Sequence, residues 1–588
     1  MKTGGQFLID TVGASEIFTR ERFSPEHLEF EKAVGDFAVS RILPVKKQIE
    51  SLDGELMLGI LKECGELGFL CVDIPEEYGG LALDKITSTL VVEKITYGQS
   101  GSLSATFSTH VGIGTLPIVF FGTPEQKRKY LPKLATGEFI GAYALTEPGA
   151  GSDALAVRTR ADLSGDGKYY TLNGTKQFIT NGGWADIFVL FGKVNGEQFT
   201  AFIVEKETEG LSIGPEESKM GLKGSSTTAI ILDNVRVPAE NVLGKIGRGH
   251  EIAFNILNIG RFKLGAADLG GCKICINESV KYALERRQFG QPIAKFDVIK
   301  GKFADMLIRT YALDSIIYRT VGMMDEAISA LDESSPDYYR QVVDSIEKYA
   351  IESSIAKVYG TESLWLTSDT GLQIFGGYGF SEEYPMAAVV RDTRVDRIFE
   401  GTNEINRQII VGYMMRKGFM DELPIRDRVK QAEDFLKGAV PAISSPILAE
   451  EKKALEISKL MAVYLFNETL CRYGQGLRTR QQLGEILSNM FIDVYVIDSV
   501  LSRVTQEIRD KGSNPTLEAI SRVLVSERML QMAADGRKAI CSIFEKEELD
   551  SASNIMDKFS RGMRLNTDIL KLKARIAEDL YGKSKYPF

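Results

Sequence analysis

The segment RIFEGTNEINR, Arg397 to Arg407, sets one carboxylate, Glu400, between the apolar pair Ile398 and Phe399 and a glycine, Gly401, just ahead of a helix start. An acid in apolar surroundings resists ionisation, and the proton affinity it gains makes it a better base near neutral pH. Gly401 lets the chain turn at the acid. A plainer role fits the same residue, since an acid near a helix N-terminus is favoured by the helix dipole. Competing chemistries lack parts. With only His27, His110 and His250, histidine-based metal sites and Ser-His-Asp catalysis are incomplete. The six cysteines are scattered, and the single CxxC, Cys272 to Cys275, has no second pair, so buried reduced thiols are expected and no metal site. The chemistry falls to carboxylates or to a cofactor.

Three stretches could hold such a cofactor. In YALTEPGAGSD, Tyr143 to Asp153, a Gly-Ala-Gly-Ser turn presents backbone N–H groups and hydroxyls to a planar, carbonyl-bearing ring, or is simply a tight surface turn. KQFITNGG, Lys176 to Gly183, offers an aromatic ring and a hydroxyl, or a hairpin with an Asn-Gly turn. IFGGYGF, Ile374 to Phe380, permits close approach of phosphates, or caps a helix. No GxGxxG follows a strand, and GKIGRG at 244–249 has the wrong spacing, which argues against a nicotinamide-binding βαβ unit.

The elements that must position these residues follow a clear order. Helical periodicity runs from about Ser24, with Pro25 at a first helical position, to a glycine stop at Gly137. Short β-branched and aromatic runs separated by Gly, Asn and Asp turns follow, then long helices from about Gly249. A polar, Pro-containing break near Lys417 precedes a last helical segment. The fold class is α+β, mainly α, with an N-terminal helical domain at 1–138, a middle β domain at 139–243, a second helical domain at 244–417 and a C-terminal helical extension at 418–588. A net charge of -9 argues against nucleic acid, because no basic surplus exists to neutralise phosphates. No apolar run reaches the roughly 18–20 residues of a membrane span, and no targeting peptide is evident, so a cytoplasmic location is the default, mitochondrial if the source is eukaryotic.

With ERRQFGQPI at Glu285 to Ile293, these motifs in this order and spacing resemble the flavoprotein acyl-CoA dehydrogenases from about Glu26 to Lys417. The resemblance implies FAD in a cleft between the β domain and the second helical domain. Tyr143, Leu145, Thr146 and Ser152 would wrap the flavin, and Phe178, Ile179 and Thr180 would cover its other part. Arg286, Arg287, Gln288 and Phe289, supplied by a neighbouring subunit, would meet the ADP portion together with Gln373, Gly376 and Gly377. Thr402, Asn403 and Glu404 would close the cofactor site. Ser152, Asn258, Arg261 and Gly401 would meet the substrate, Asn258 and Arg261 at its CoA end. Glu400 matches the base that removes an α-proton of an acyl-CoA thioester while the β-hydride passes to the flavin. Some relatives carry the base where this chain has Gly260. Phe296 and Asp297 stand where a Gln is frequent, and Phe178 where some members have Trp.

The C-terminal extension and the ILNIGRF wording resemble the very-long-chain subgroup. That implies long-chain acyl-CoA oxidised to trans-2-enoyl-CoA in fatty acid β-oxidation, electrons passed to an electron-transfer flavoprotein, a homodimer, and a peripheral membrane contact through DRVKQAEDFLKGAVPAISSPIL. The stretch GQSGSLSATFSTHVGIG, dense in small residues, leaves room for an acyl chain or permits close helix packing. Other readings keep the fold: a mainly non-catalytic role in respiratory-complex assembly, a role in alkylation damage of DNA, an atypical acyl-CoA, or flavin oxidation by O₂.

Overall fold

Helices begin where the sequence supplies caps. Ser24 and His27 form a reciprocal capping box ahead of Pro25–Phe37, and Thr123 and Gln126 repeat it ahead of Pro124–Thr136, each with Pro in the first turn. Gly137, at φ 73°, ends the second of these. The computed structural model describes residues 3–443 and 445–588. Met1 and Lys2, at the N-terminus read for targeting, and Ser444, in the candidate membrane segment, lie outside them.

The middle of the chain folds as strands β1 Gly141–Ala144, β2 Arg160–Leu163, β3 Tyr169–Thr180, β4 Ile187–Val194, β5 Gln198–Glu205, β6 Leu211–Glu216, β7 Thr227–Pro238 and β8 Val242–Leu243. Their order across the sheet is β6-β7-β3-β2-β4-β5-β8, with β1 parallel to β4. β4 is buried on both faces, and its residues alternate accordingly. Phe188 and Leu190 join the core inside the β domain, while Ile187, Val189 and Phe191 face the helices. β1 is held to the N-terminal helices by His110, whose Nδ1 accepts from the Gly141 amide at 3.1 Å and whose Nε2 donates to the Leu134 carbonyl at 3.0 Å. Burial pushes this imidazole down to about 4 and keeps it neutral.

Two long helices, Gly249–Glu285 and Ala350–Phe375, carry the site. They approach closely at Gly265 and Gly360: a Cβ on Gly265 would lie 2.9 Å from the Ala356 carbonyl oxygen. The helical periodicity read as continuous from Tyr338 to Phe375 is broken at Lys348 and Tyr349. Gly101–Phe121 is long and apolar enough by composition to cross a membrane, contrary to the run-length reading. It is mostly buried within the fold and is interrupted by a wide turn at His110–Gly114. Of the cysteines, Cys64, Cys71, Cys272 and Cys275 are buried, whereas Cys471 and Cys541 are exposed, against the expectation that all are buried.

Residues 3–20 touch the helix that follows them only near their end, where Phe18 lies 6.4 Å from the His27 ring and Arg20 pairs with Glu31 at 2.6 Å. They run along the second helical domain and the C-terminal extension, bonded to both. The Gly5 amide donates to Glu352, the Val12 amide to Glu456 and the Ile17 amide to Gln506, at 2.7, 2.9 and 2.8 Å. Arg20 then pairs with Asp314 and Glu93, and Glu21 with Arg503, in a buried ion network that also includes Lys273.

Candidate active site

Glu400 sits in a turn between the short helical turn Arg394–Arg397 and the helix Asn403–Phe419. Its own φ is 57° and that of Gly401 is 78°, so two successive residues are left-handed. For a glutamate that conformation costs on the order of 1 kcal/mol and persists only where the surroundings impose it. Three side chains do so. Asn406 Nδ2 donates to the carbonyls of Glu400, Gly401 and Thr402, Lys357 Nζ donates to the Gly401 carbonyl at 2.8 Å, and Arg261 Nε reaches the Glu400 carbonyl at 3.5 Å. Thr402 caps the following helix, accepting from the Ile405 amide.

The turn aims the carboxylate at the Gly249–Glu285 helix, where Gly260 makes room for it. A Cβ there would lie 2.5 Å from Glu400 Oε2, so a side chain at 260 and this carboxylate cannot share the space. Oε2 is shut off from solvent and has no hydrogen-bond partner among the described residues. Burial pushes the Glu400 carboxyl up to about 7, opposed by the positive charges of Arg261 and Lys357. Tyr143, on β1, faces the same carboxylate, and burial followed by that negative charge pushes its phenol well up. A base with an open lone pair near neutral pH can accept a weakly acidic proton from carbon.

Other expected residues fall into place unevenly. Asn258 and Arg261, expected at the CoA end, are buried beneath the Glu400 turn, with Arg261 NH1 donating to Asn258 Oδ1 at 2.7 Å. Asn403 turns inward to Lys357, Thr361 and Glu362 rather than toward an open cleft, while Glu404 is exposed at the first helical turn. Leu145 is buried, Thr146 half-buried and Ser152 exposed at the tip of the Gly-Ala-Gly-Ser turn. That turn is anchored by a pair the sequence reading passed over. Glu147 accepts from the buried Lys176 at 2.7 Å and from the Thr159 amide at 3.0 Å, and Lys176 also donates to the Leu145 carbonyl.

Phe178 lies at a bulge. Lys176 pairs with Ile230 and Ile179 with Thr228, so β3 carries one extra residue, and Phe178 takes it up at φ 57°. The ring is thrown outward, 62% exposed, while Ile179 points into the β core and Thr180 is half-buried. An exposed aromatic ring beside a turn where a Cβ on Gly149 or Gly151 would meet nothing within 4 Å is a cradle that fits a planar ring system.

Arg286, Arg287, Gln288 and Phe289 do not join this cluster within the chain. Arg286 lies 25 residues beyond Arg261 on and just past one helix, about 38 Å at 1.5 Å per residue. The four residues form an exposed hairpin whose turn is Phe289 at φ 49° and Gly290 at φ 80°, with Phe289 93% exposed. Gln373, Gly376 and Gly377 adjoin that hairpin instead, with the Arg286 guanidinium 5.5 Å from the Tyr378 ring centre. Gly376 and Gly377 border open space. Phe296 packs edge-on against Phe289 at 5.9 Å.

Comparison with known proteins agrees with this arrangement. Family models described as the N-terminal, middle and C-terminal domains of acyl-CoA dehydrogenase match residues 24–138, 142–235 and 247–415. A probable acyl-CoA dehydrogenase of Bacillus subtilis is 42% identical over 589 residues, covering 100% of this chain and 98% of that protein. The mitochondrial very long-chain specific acyl-CoA dehydrogenase of Macaca fascicularis is 36% identical over 79% of this chain and 72% of its own length. The crystal structure of an acyl-CoA dehydrogenase complexed with FAD from Bacillus anthracis superposes with a TM-score of 0.97 at 41% identity, covering both chains in full. Three matched domains in the observed order, with Glu400 inside the last, show that this chain belongs to the acyl-CoA dehydrogenase family, oxidoreductases acting on CH–CH bonds.

Proposed function

We propose that this enzyme oxidises long-chain fatty acyl-CoA to trans-2-enoyl-CoA, in fatty acid β-oxidation, with Glu400 as the base that takes the α-proton. The observation that carries the reading is the Glu400 carboxylate itself: unpartnered at Oε2, held by a left-handed turn, and raised to about 7 by burial. FAD, when bound, supplies the acceptor for the β-hydride. Phe178 and the Tyr143 to Ser152 turn would hold its ring system, and the latter's glycines leave space for that approach. The chain's own part is to take the α-proton at Glu400, to keep water from that carboxylate and to fix the turn that aims it.

The long-chain preference draws on the very long-chain relative, whose match to 79% of this chain extends beyond the three family domains. The small-residue stretch divides between the two roles open to it. A Cβ on Gly114 would lie 2.8 Å from the Gly141 backbone, and Ser102 bonds Glu50, which is close packing; Ser104, Ala105, Ser108 and Thr109 are half-buried, and an acyl chain would lie along them.

A homodimer completes the picture. Phe289 and Phe380, 93% and 84% exposed, flank the Arg286 to Gln288 hairpin and would be covered by a second copy, whose cofactor site that hairpin would reach. Reducing equivalents would leave through an electron-transfer flavoprotein. Peripheral membrane contact would use DRVKQAEDFLKGAVPAISSPIL, where Val440 is 72% exposed.

Anaerobic addition of palmitoyl-CoA to the purified yellow protein should bleach its flavin band, and butyryl-CoA should do so weakly or not at all. Bleaching by butyryl-CoA alone would end the long-chain reading and leave the base assignment standing.

A further inference from the structure

The catalytic helix is bonded to the C-terminal extension. Arg407 Nε donates to Asn489 Oδ1 at 2.7 Å, Ser488 donates to the Arg407 carbonyl, and Gln408 Nε2 donates to the Gln481 carbonyl at 3.2 Å. Gly484 admits the close approach, since a Cβ there would lie 3.2 Å from the Gln408 side chain. From Arg407 the bonding continues inward. Its NH2 pairs with Glu362 at 2.9 Å, Glu362 accepts from Asn403 Nδ2 at 3.1 Å, and Asn403 Oδ1 accepts from Lys357 Nζ at 2.8 Å. The same ammonium group holds the Gly401 carbonyl at 2.8 Å.

We propose that the C-terminal extension positions the catalytic base: Asn489, through Arg407, Glu362, Asn403 and Lys357, fixes the Gly401 carbonyl and with it the left-handed turn that aims Glu400. This rests on the reading of Glu400 as the base. Lys357 and Asn489 are positioning residues, since neither reaches Oε2. Of the side chains that hold the turn, Asn406 lies on the Asn403–Phe419 helix and Arg261 beneath it, and Lys357 is bonded onward, through Asn403, Glu362 and Arg407, to Asn489 of the extension. Lys357 and Asn403 are buried and the others at least half-buried, so bulk water competes weakly for these bonds.

Lys357 acts by charge as well as by geometry. The groups facing Glu400 are Arg261 from the Gly249–Glu285 helix, Lys357 from the Ala350–Phe375 helix and Tyr143 from β1; Lys357 is in turn faced by Asp268 and Asp396. The positive charge of Lys357 lowers the proton affinity of Glu400, and its loss raises it.

The test uses full-length Asn489→Ala, Asn489→Asp and Lys357→Met, with Glu400→Gln as reference. Two measurements are made: hydrogen exchange of the 397–407 peptide in apoprotein, and the pH dependence of anaerobic flavin bleaching by palmitoyl-CoA in holoenzyme. Asn489→Ala should speed exchange in that peptide and slow bleaching by about 3-fold or more, the scale on which distal contacts modulate a site. Asn489→Asp, which keeps the acceptor for Arg407, should restore both. Lys357→Met should move the acid limb of the profile up by about one unit. Where Lys357→Met fails to fold, the Asn489 pair decides alone. Exchange and bleaching rate both unchanged in Asn489→Ala, beside an inactive Glu400→Gln, would overturn this inference and spare the base. A Glu400→Gln variant that still bleaches would instead overturn the base and the inference with it.

Discussion

Glu400 holds its proton to about 7 in the fold, against 4.5 for a free glutamate side chain. Between those values the unfolded chain is ionised and the folded chain is not, so folding loses stability as pH rises from about 4.5, and the whole loss is present above about 7. Replacing Glu400 with Gln removes that loss. Apo Glu400→Gln should therefore exceed the wild type in stability by about 1–3 kcal/mol at pH 8 and by little at pH 4.5, as read from denaturation midpoints at the two pH values. Equal stability at pH 8 would mean that the carboxylate is hydrated and ionised in the fold. Glu400 stood out in the sequence as an acid between Ile398, Phe399 and Gly401, and the base role came to it only through the resemblance carried by the five motifs together. Lys357 was not, since a lysine inside AIESSIAKVYG reads as an ordinary helix-surface charge and nothing local marks it as buried. Asn258 and Arg261 were named through the resemblance, at the CoA end of the substrate, and their burial beneath the turn depends on a tertiary contact that one sequence does not display.

At the scale of elements, function depends on one close approach, between the Glu400 turn and the helix face at Gly260. Gly260→Ala places a methyl 2.5 Å from Oε2, and the carboxylate must move while the helix gains a better former. Flavin reduction by palmitoyl-CoA should fall about 10²-fold, the scale of a displacement near 1 Å, with no loss of thermal midpoint. A rate within 3-fold of wild type would show that the carboxylate reacts from some other position. The order of helices, strands and helices was readable from periodicity and from caps such as Ser24 and Gly137. The β3 bulge that turns Phe178 outward was not. KQFIT alternates like any strand, and the extra residue becomes visible only against the register of β7. The pairing of Gly265 with Gly360 is hidden for the same reason, because two glycines nearly a hundred residues apart give no local sign that their helices meet.

The whole molecule is closed by its N-terminal segment and its C-terminal extension acting on each other. Arg503 is fully buried and holds Glu21 and Asp314, and Arg20 holds Asp314 and Glu93. Removing Arg503 takes a partner from the fully buried Asp314, and breaking one partner of such a network costs about 3–5 kcal/mol. Arg503→Met should therefore lower the thermal midpoint and make residues 3–23 the first site of limited proteolysis, with the flavin spectrum retained until the segment is cut. Proteolysis that begins elsewhere would show that the segment is held without the network. Chain order could not reveal this contact, since residues 3–23 are distant in sequence from everything they touch in the extension. The central claim, that Glu400 is the base, is tested most directly by titrating wild-type and Glu400→Gln holoenzyme with palmitoyl-CoA without oxygen. The flavin band should bleach in the wild type, and the variant should show a spectral shift on binding with no bleaching. Bleaching at the wild-type rate in Glu400→Gln would contradict the claim.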